Sequence, residues 1–389
     1  KVLPSIGGFT LSHNFPGIAS DPSKRVTFAQ SCVTLIQTYK FDGIDLDWEY
    51  PGYAEHNGTP QDKANFTLLL QEVRSAIDAY GTSVGKNMLL TAAVGASEAR
   101  MQDVNWTAVE SLLDIINLMS YDYFGTWDPI ANHNSPLFAP IQGDETFNIA
   151  HSVDKLINDY GVNPNKITAG IPFYGRSAKT TSTPTLHGTI DGTVDNVTFA
   201  TDEGIPLYYN VMQNLNSFTE NWDNVAKVPY LTGNNGLNTF VSYDNEASVE
   251  LKAQFIVEKE LRGAIIWEIT GDYIETFPGS GQILGTPLVS KINDVFCNYT
   301  PENLSVDEGL EIKTLIFPNP ASNSITIKGE NYSGAEVELI DVEGNVLLSI
   351  KLSNPIQTIG LNAFSPGSYT LKISTTTTTD YHKLIIIKD

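Results

Sequence analysis

The stretch Phe41–Tyr50, FDGIDLDWEY, decides the fold. It reads as a buried strand, yet Asp42, Asp45, Asp47 and Glu49 interrupt its apolar residues. Side chains alternate faces along a strand, so residues two apart share one. Asp45, Asp47 and Glu49 therefore line one face, and Ile44, Leu46 and Trp48 the other. Asp42 has the other parity and belongs at the strand's entrance, where a turn or cap role suits it equally well. In a parallel barrel both faces are covered, one by helices and one by the barrel interior. The apolar set suits the helices, which leaves three carboxyls pointing inward.

The flanking sequence repeats a pattern of short apolar strand and amphipathic helix. Strands are expected over Val2–Ile6, Gly43–Glu49, Leu89–Gly95, Ile116–Asp122, Lys166–Phe173 and Gly263–Ile269. Helical spacing appears in Phe28, Cys32, Leu35 and Ile36, in Phe66, Leu69, Leu70, Val73 and Ile77, and in Val153, Leu156 and Ile157. Further helices are expected near 105–114, 246–261 and 287–296. Such alternation means α/β with a parallel sheet, doubly wound or closed as a (β/α)8 TIM barrel. Six units are visible where a barrel has eight, and the first strand begins at residue 2. A chain lacking its first two barrel strands is the expectation.

Residues 177–245 break the alternation. They are rich in Thr, Asn and Gly, with β-type runs at Thr193–Phe199 and Thr239–Tyr243 around a helical stretch, Pro206–Gln213. This is an α+β insertion within a domain spanning 1–299. A polar linker follows at 300–313, then an all-β sandwich at 314–389 with a hairpin turn at Glu343-Gly344-Asn345 and a loop at Thr375–Thr379.

A net charge of −22 argues against nucleic acid or an anionic membrane surface as partner, and suits a neutral polymer such as a polysaccharide. The longest apolar runs are too short to span a bilayer. The two cysteines, Cys32 and Cys297, lack CxxC spacing and fall at apolar helix positions, so both are expected as buried thiols. The six histidines form no HxH or HxxxH pair, and no metal or other cofactor is expected.

Three carboxyls roughly 6–7 Å apart along one face cannot all ionise cheaply, so they share protons and their proton affinities diverge. Glu49 comes last, at the strand's carboxyl end, where barrel enzymes place their chemistry. It is the natural general acid, with Asp47 beneath it and Asp45 deeper. A polar plug of the barrel and a divalent-cation site are the competing readings.

These residues resemble a known signature. Asp42-Gly43-Ile44-Asp45-Leu46-Asp47-Trp48-Glu49 is similar to the DxxDxDxE motif of glycoside hydrolase family 18, the chitinases. Ser5-Ile6-Gly7-Gly8 resembles that family's SxGG on barrel strand 3, and Met119-Ser120-Tyr121-Asp122 its MxYD on strand 6. Gly170–Arg176, GIPFYGR, resembles strand 7, and Trp267-Glu268 strand 8. The resemblance runs from residue 1 to about 297 and agrees with the absence of strands 1 and 2.

The resemblance implies a substrate-assisted retaining glycosidase, in which the sugar's own 2-acetamido carbonyl attacks and forms an oxazolinium ion. Glu49 would protonate the leaving oxygen and then activate water. Asp47 would orient the acetamido N–H, Asp45 would share a proton with Asp47, and Ser5 would hydrogen-bond to Asp45. The Tyr121 hydroxyl would hold the acetamido oxygen. Trp267 would floor the distorted sugar, and Tyr50, Met119, Asp122, Tyr174 and Arg176 would line the site. Phe9 and Trp127 would form outer subsites, with Asp128 beside them.

The implied substrate is chitin or another β-1,4-linked N-acetylglucosamine polymer, and a monomer is expected. An endo-β-N-acetylglucosaminidase acting on glycoprotein glycans and a non-catalytic chitin-binding lectin are the alternatives. The C-terminal FPNPASNSITIKG, SPGSYTLKI and KLIIIKD resemble the sorting domain of type IX secretion in Bacteroidetes-type bacteria. That implies a secreted or cell-surface protein and the secretion machinery as a partner, against a carbohydrate-binding or fibronectin-like sandwich. An export signal is then expected ahead of residue 1, and Asn-x-Ser/Thr matches such as Asn65-Phe66-Thr67 are not read as glycosylation sites.

Overall fold

A computed structural model of the chain describes residues 1–300, 315–328, 334–341, 344–354, 356–375 and 379–387. The chain divides near residue 302 into two compact units. The first opens with strands β1 (Ser5–Gly7), β2 (Gly43–Asp47), β3 (Leu89–Gly95), β4 (Ile115–Met119) and β5 (Ile167–Pro172). It then builds an insertion from β6 (Arg176–Lys179), β7 (Phe218–Asp223), β8 (Val228–Gly233) and β9 (Thr239–Ser242), and returns with β10 (Gly263–Trp267). Strands β1 to β5 and β10 pair in parallel and in that order, a succession of barrel strands. Among the described residues, β1 and β10 each have one neighbour in this sheet, which stays open between them.

The split personality of β2 is resolved by its two faces. Ile44 and Leu46 are fully buried on the helix side. Trp48, just past the strand, stacks on Phe15 at 5.3 Å and meets Phe66 edge-on at 5.8 Å. Each such side chain contributes about 1.5–3 kcal/mol by leaving water. The helix Asp62–Val84 supplies Phe66, Leu69, Leu70, Val73 and Ile77 to this layer and ends at Gly85, with φ 66°. The helix Pro22–Tyr39 begins where the Asp21 carboxylate accepts the Ser23 and Lys24 N–H groups, a side-chain N-cap.

Strand β1 fits against β2 only because residue 7 is glycine. Its φ is 125°, and an added Cβ would lie 2.0 Å from the Asp47 carbonyl oxygen. The resulting register sets Ser5 beside Asp45 and Gly7 beside Asp47.

Several expectations are corrected. Strand β2 stops at Asp47 and β4 at Met119, so Glu49, Tyr121 and Asp122 stand beyond their strands. The expected helix at 105–114 is α-helical only over Trp106–Val109. Thr193–Phe199 is turns rather than strand, because buried Asp195 folds the chain back on itself. Its carboxylate accepts the Val197 and Thr198 N–H groups, the Thr239 hydroxyl and the Lys179 ammonium. The insertion's sheet instead runs β6-β9-β8-β7, all antiparallel, with a helix at Tyr208–Asn214. Cys32 is buried but Cys297 is exposed, since it falls on the outer side of the helix Pro287–Asn298, which buries Leu288, Ile292 and Val295.

In the second unit, Leu315–Phe317, Ser324–Lys328 and Ile356–Gly360 form one antiparallel sheet. Glu336–Ile340, Val346–Lys351, Gly367–Ser374 and Thr379–Ile386 form another. Alternate residues such as Ile325, Ile327, Val337, Leu339, Leu371 and Ile373 share one core. Thr379 belongs to the last strand. The expected linker over 301–313, Glu343 of the expected turn and Thr376–Thr378 lie outside the described residues.

Candidate active site

Parallel register lays a polar belt across the sheet. Asp45 Oδ2 accepts the Ser5 hydroxyl at 2.6 Å, and Oδ1 accepts the Asn117 amide at 3.1 Å and the Thr91 hydroxyl. Thr168 Oγ1 in turn donates to Asn117 Oδ1 at 2.8 Å. Three strands, β1, β3 and β4, thus donate to one carboxylate on β2, and Thr168 on β5 steadies one of the donors. No hydrogen bond joins Asp45 to Asp47 among the described residues.

Asp47 stands in the opposite condition. Its Oδ1 is buried without a partner. Burial, then the charges of Glu49 and Asp45, push its carboxyl up to about 7. The carboxyl of Glu49 is also raised, chiefly by burial and further by Asp122, against lowering by the Tyr50 hydroxyl, His56 and the Phe9 N–H. Two neighbouring carboxyls that both resist ionisation are the arrangement that stores a proton near neutral pH.

The remaining expected residues gather at the carboxyl ends of β4 and β5. Tyr121 lies close enough to Asp122, Asp47, Glu49 and Asp45 for their charges to add to burial in raising its hydroxyl. Its ring meets Tyr174 edge-on at 6.1 Å, and an added Cβ on Gly170 would strike it at 2.8 Å. Asp122 Oδ1 accepts the Tyr174 hydroxyl and the Arg176 Nε–H, both at 2.7 Å. The Arg176 guanidinium lies 4.9 Å from the exposed Trp127 ring. Asp128 Oδ2 accepts the Gly125 N–H at 2.9 Å, closing the turn that presents Trp127. Met119 is buried at the end of β4.

Phe9 and Trp267 stand further out. Phe9 is exposed, with its ring 4.7 Å from His56 and 6.4 Å from Tyr53. Trp267 is 58% exposed at the end of β10. Asp42 is drawn to the other end of β2, where it bonds Lys1 Nζ at 2.7 Å and the Val2 N–H at 2.8 Å. It takes no part in the cluster.

Some contributors escape motif reading. Ser12 Oγ accepts the Glu49 N–H at 2.9 Å, and His56 Nδ1 donates to the Glu49 carbonyl at 2.6 Å. Arg100 lies over the rings of Tyr50 and Tyr53, at 5.2 and 4.3 Å. Thr91 carried a usable signal as the lone polar residue of LLTAAVG, with inward parity. Ser12, His56 and Arg100 lie on irregular segments or short helical turns, where no periodicity marks them.

Known proteins carry the same architecture. Residues 1–272 match Glycosyl hydrolases family 18. Residues 315–388 match the secretion system C-terminal sorting domain, which assigns the chain to type IX secretion, secreted or at the cell surface. The chain is 37% identical to Chitinase A1 of Niallia circulans over 293 residues, 71% of this chain and 41% of that protein. It is 35% identical to Endochitinase 1 of Metarhizium robertsii over 294 residues, 74% of this chain and 64% of that protein. The chain therefore spans less than two thirds of the length of either relative. Chitinase ChiA74 from Bacillus thuringiensis superposes with a TM-score of 0.68 at 29% identity, covering 99% of this chain and 65% of that one. The family match takes in most of the chain and all six parallel strands with their carboxyl cluster: the chain belongs to glycosyl hydrolases family 18.

Proposed function

We propose that the chain hydrolyses β-1,4-linked N-acetylglucosamine polymers, chitin and its oligosaccharides, with retention and with the substrate's acetamido group as nucleophile. The observation that carries this reading is Asp47: one buried oxygen without a protein partner, beside a Glu49 carboxyl whose proton affinity burial raises. Nothing in the protein ties that oxygen down, so the carboxylate can rotate to accept the acetamido N–H and turn its carbonyl toward C1. Glu49 gives its proton to the glycosidic oxygen as the C1–O bond breaks and the carbonyl oxygen closes on C1. Water then attacks C1 and gives a proton to the Glu49 carboxylate. The oxazolinium ring opens, and both the N-acetyl group and the acid are restored.

Asp45, held by Ser5, Thr91 and Asn117, anchors the base of the cluster. The buried Tyr121 hydroxyl, kept neutral, is available to the acetamido oxygen. Trp267, Trp127 and Phe9 offer exposed rings on which pyranose faces stack. An ordinary nucleophilic carboxylate would need to stand about 5–5.5 Å away across the scissile bond, and Asp47 instead ends β2 only two residues before the acid. The second unit would deliver the enzyme to the secretion machinery.

The test is proton NMR of the purified chain with N-acetylglucosamine tetramer. Newly formed β-anomer is expected, and Glu49→Gln should lower its rate at least about 1,000-fold, since the acid acts in both steps. Initial α-anomer would overturn the mechanism. Cleavage of N-glycans with the tetramer left intact would replace the substrate.

A further inference from the structure

The stretch Asn132-His133-Asn134-Ser135 is polar throughout, yet its residues are only 6%, 0%, 1% and 3% exposed. Buried polar groups persist where they are bonded. His133 Nε2 meets Asp223 Oδ2 at 2.9 Å, and Asn132 Nδ2 donates to the Gln142 carbonyl at 2.7 Å. Ser135 Oγ donates to the Ser120 carbonyl at 2.7 Å and accepts from Lys252 Nζ at 3.0 Å.

Of these four, Asn134 bonds the segment after β4, Tyr174 after β5 and β9 of the insertion. Its Oδ1 accepts the Asp122 N–H at 2.9 Å, and its carbonyl accepts the Tyr123 N–H at 3.1 Å. Its Nδ2 donates to the Tyr174 carbonyl at 3.4 Å, and its N–H donates to Ser242 Oγ on β9 at 2.8 Å. Asp122 has φ 59°, a left-handed conformation that Asp tolerates better than most residues but that costs energy unless bonds such as these hold it. The carboxylate so aimed meets Tyr174 and Arg176, with Tyr121 and Glu49 facing it.

We propose that Asn134 is a positioning residue: it holds Asp122 in its left-handed conformation and thereby keeps that carboxylate on Tyr174 and Arg176, beside Glu49. The kinetic consequence rests on the hydrolytic reading, whereas the conformational one does not. Asp122 is among the charges that support the proton on Glu49, so a displaced Asp122 leaves less of Glu49 in its proton-donating form and acts on the chemical step more than on ground-state binding. The loss should therefore fall on kcat.

The full chain is compared with Asn134→Ala, Asn134→Asp and Ser135→Ala, by amide hydrogen exchange over residues 119–124 and by kcat and KM on N-acetylglucosamine tetramer. In Asn134→Ala the Asp122 amide should exchange at least about tenfold faster. Its kcat should fall about tenfold while KM stays within about threefold. Asn134→Asp, relative to wild type at each pH, should recover as pH falls, because a neutral carboxyl both accepts from Asp122 and donates to Tyr174.

Unchanged exchange at Asp122, or the same kinetic split in Ser135→Ala, would overturn the assignment. If Asn134→Ala does not fold, the pH-dependent recovery of Asn134→Asp decides, and its absence overturns the proposal. A wild-type chain with no turnover that depends on Glu49 defeats the hydrolytic reading. The exchange comparison still decides whether Asn134 holds Asp122.

Discussion

Asp47 shows how a buried, unpartnered carboxyl opposes stability. Its carboxyl titrates near 3.9 in an unfolded chain and at about 7 here. Between those values the unfolded state releases a proton that the native state keeps, so the contribution of Asp47 to stability falls as pH rises through that window. Below about pH 4 the two states are equally protonated at this group, and the penalty vanishes. Asp47→Asn should therefore unfold with a wild-type-minus-variant difference near zero at pH 4 that grows to about 4 kcal/mol in the variant's favour above pH 7. Urea unfolding at a series of pH values measures this. Turnover by the same variant should drop about 100-fold or more. A variant less stable than wild type at pH 8 would mean that the native state bonds this carboxylate in a way the structure does not contain.

At the scale of elements, the site depends on the fit of β1 to β2. Gly7→Ala puts a Cβ into the Asp47 carbonyl and demands φ 125° of an L-residue. It should destabilise the first unit by about 3 kcal/mol or more, with thermal unfolding as the measurement. The same reasoning explains the FPNPASN segment. The last strand, Thr379–Ile386, is the edge of its sheet, and exposed edges invite pairing with other chains. Asn319 covers it, donating to the Lys383 carbonyl at 2.8 Å and accepting the Ile385 N–H at 2.9 Å. Ala321 continues the pairing along the same edge. In the insertion, by contrast, local patterns mislead. Thr193–Phe199 has strand-forming residues but is recruited by the Asp195 turn, while the hairpin of β7 and β8 carries Asn221, Asp223 and Pro229 and was not anticipated.

At the scale of the molecule, the two units have separate cores, around Ile44, Leu46 and their neighbours and around Ile325, Val337 and Leu371. All five tryptophans, at 48, 106, 127, 222 and 267, belong to the first. Tryptophan fluorescence therefore reports one unit, and far-ultraviolet circular dichroism both. Their denaturant transitions are expected not to coincide, the signature of unfolding that is not two-state for the whole chain. Coincident curves would show that the units unfold as one.

Period and parity settled what is local. The alternation of strand and helix, the shared face of Asp45 and Asp47, and the motif order along the chain follow from residue spacing alone, since a strand repeats every two residues wherever it lies. Which carboxyl is satisfied and which is left holding a proton does not follow from spacing. Three acids at equal intervals look alike in one dimension. Folding brings Ser5, Thr91 and Asn117 from three other strands onto Asp45 and brings none of them to Asp47 Oδ1. The left-handed Asp122 and the Asn134 amide that meets it belong to the same class, because hydrogen-bond partners twelve residues apart on irregular chain have no period to betray them. Sequence chose the residues and the faces; burial and long-range pairing assigned each its charge.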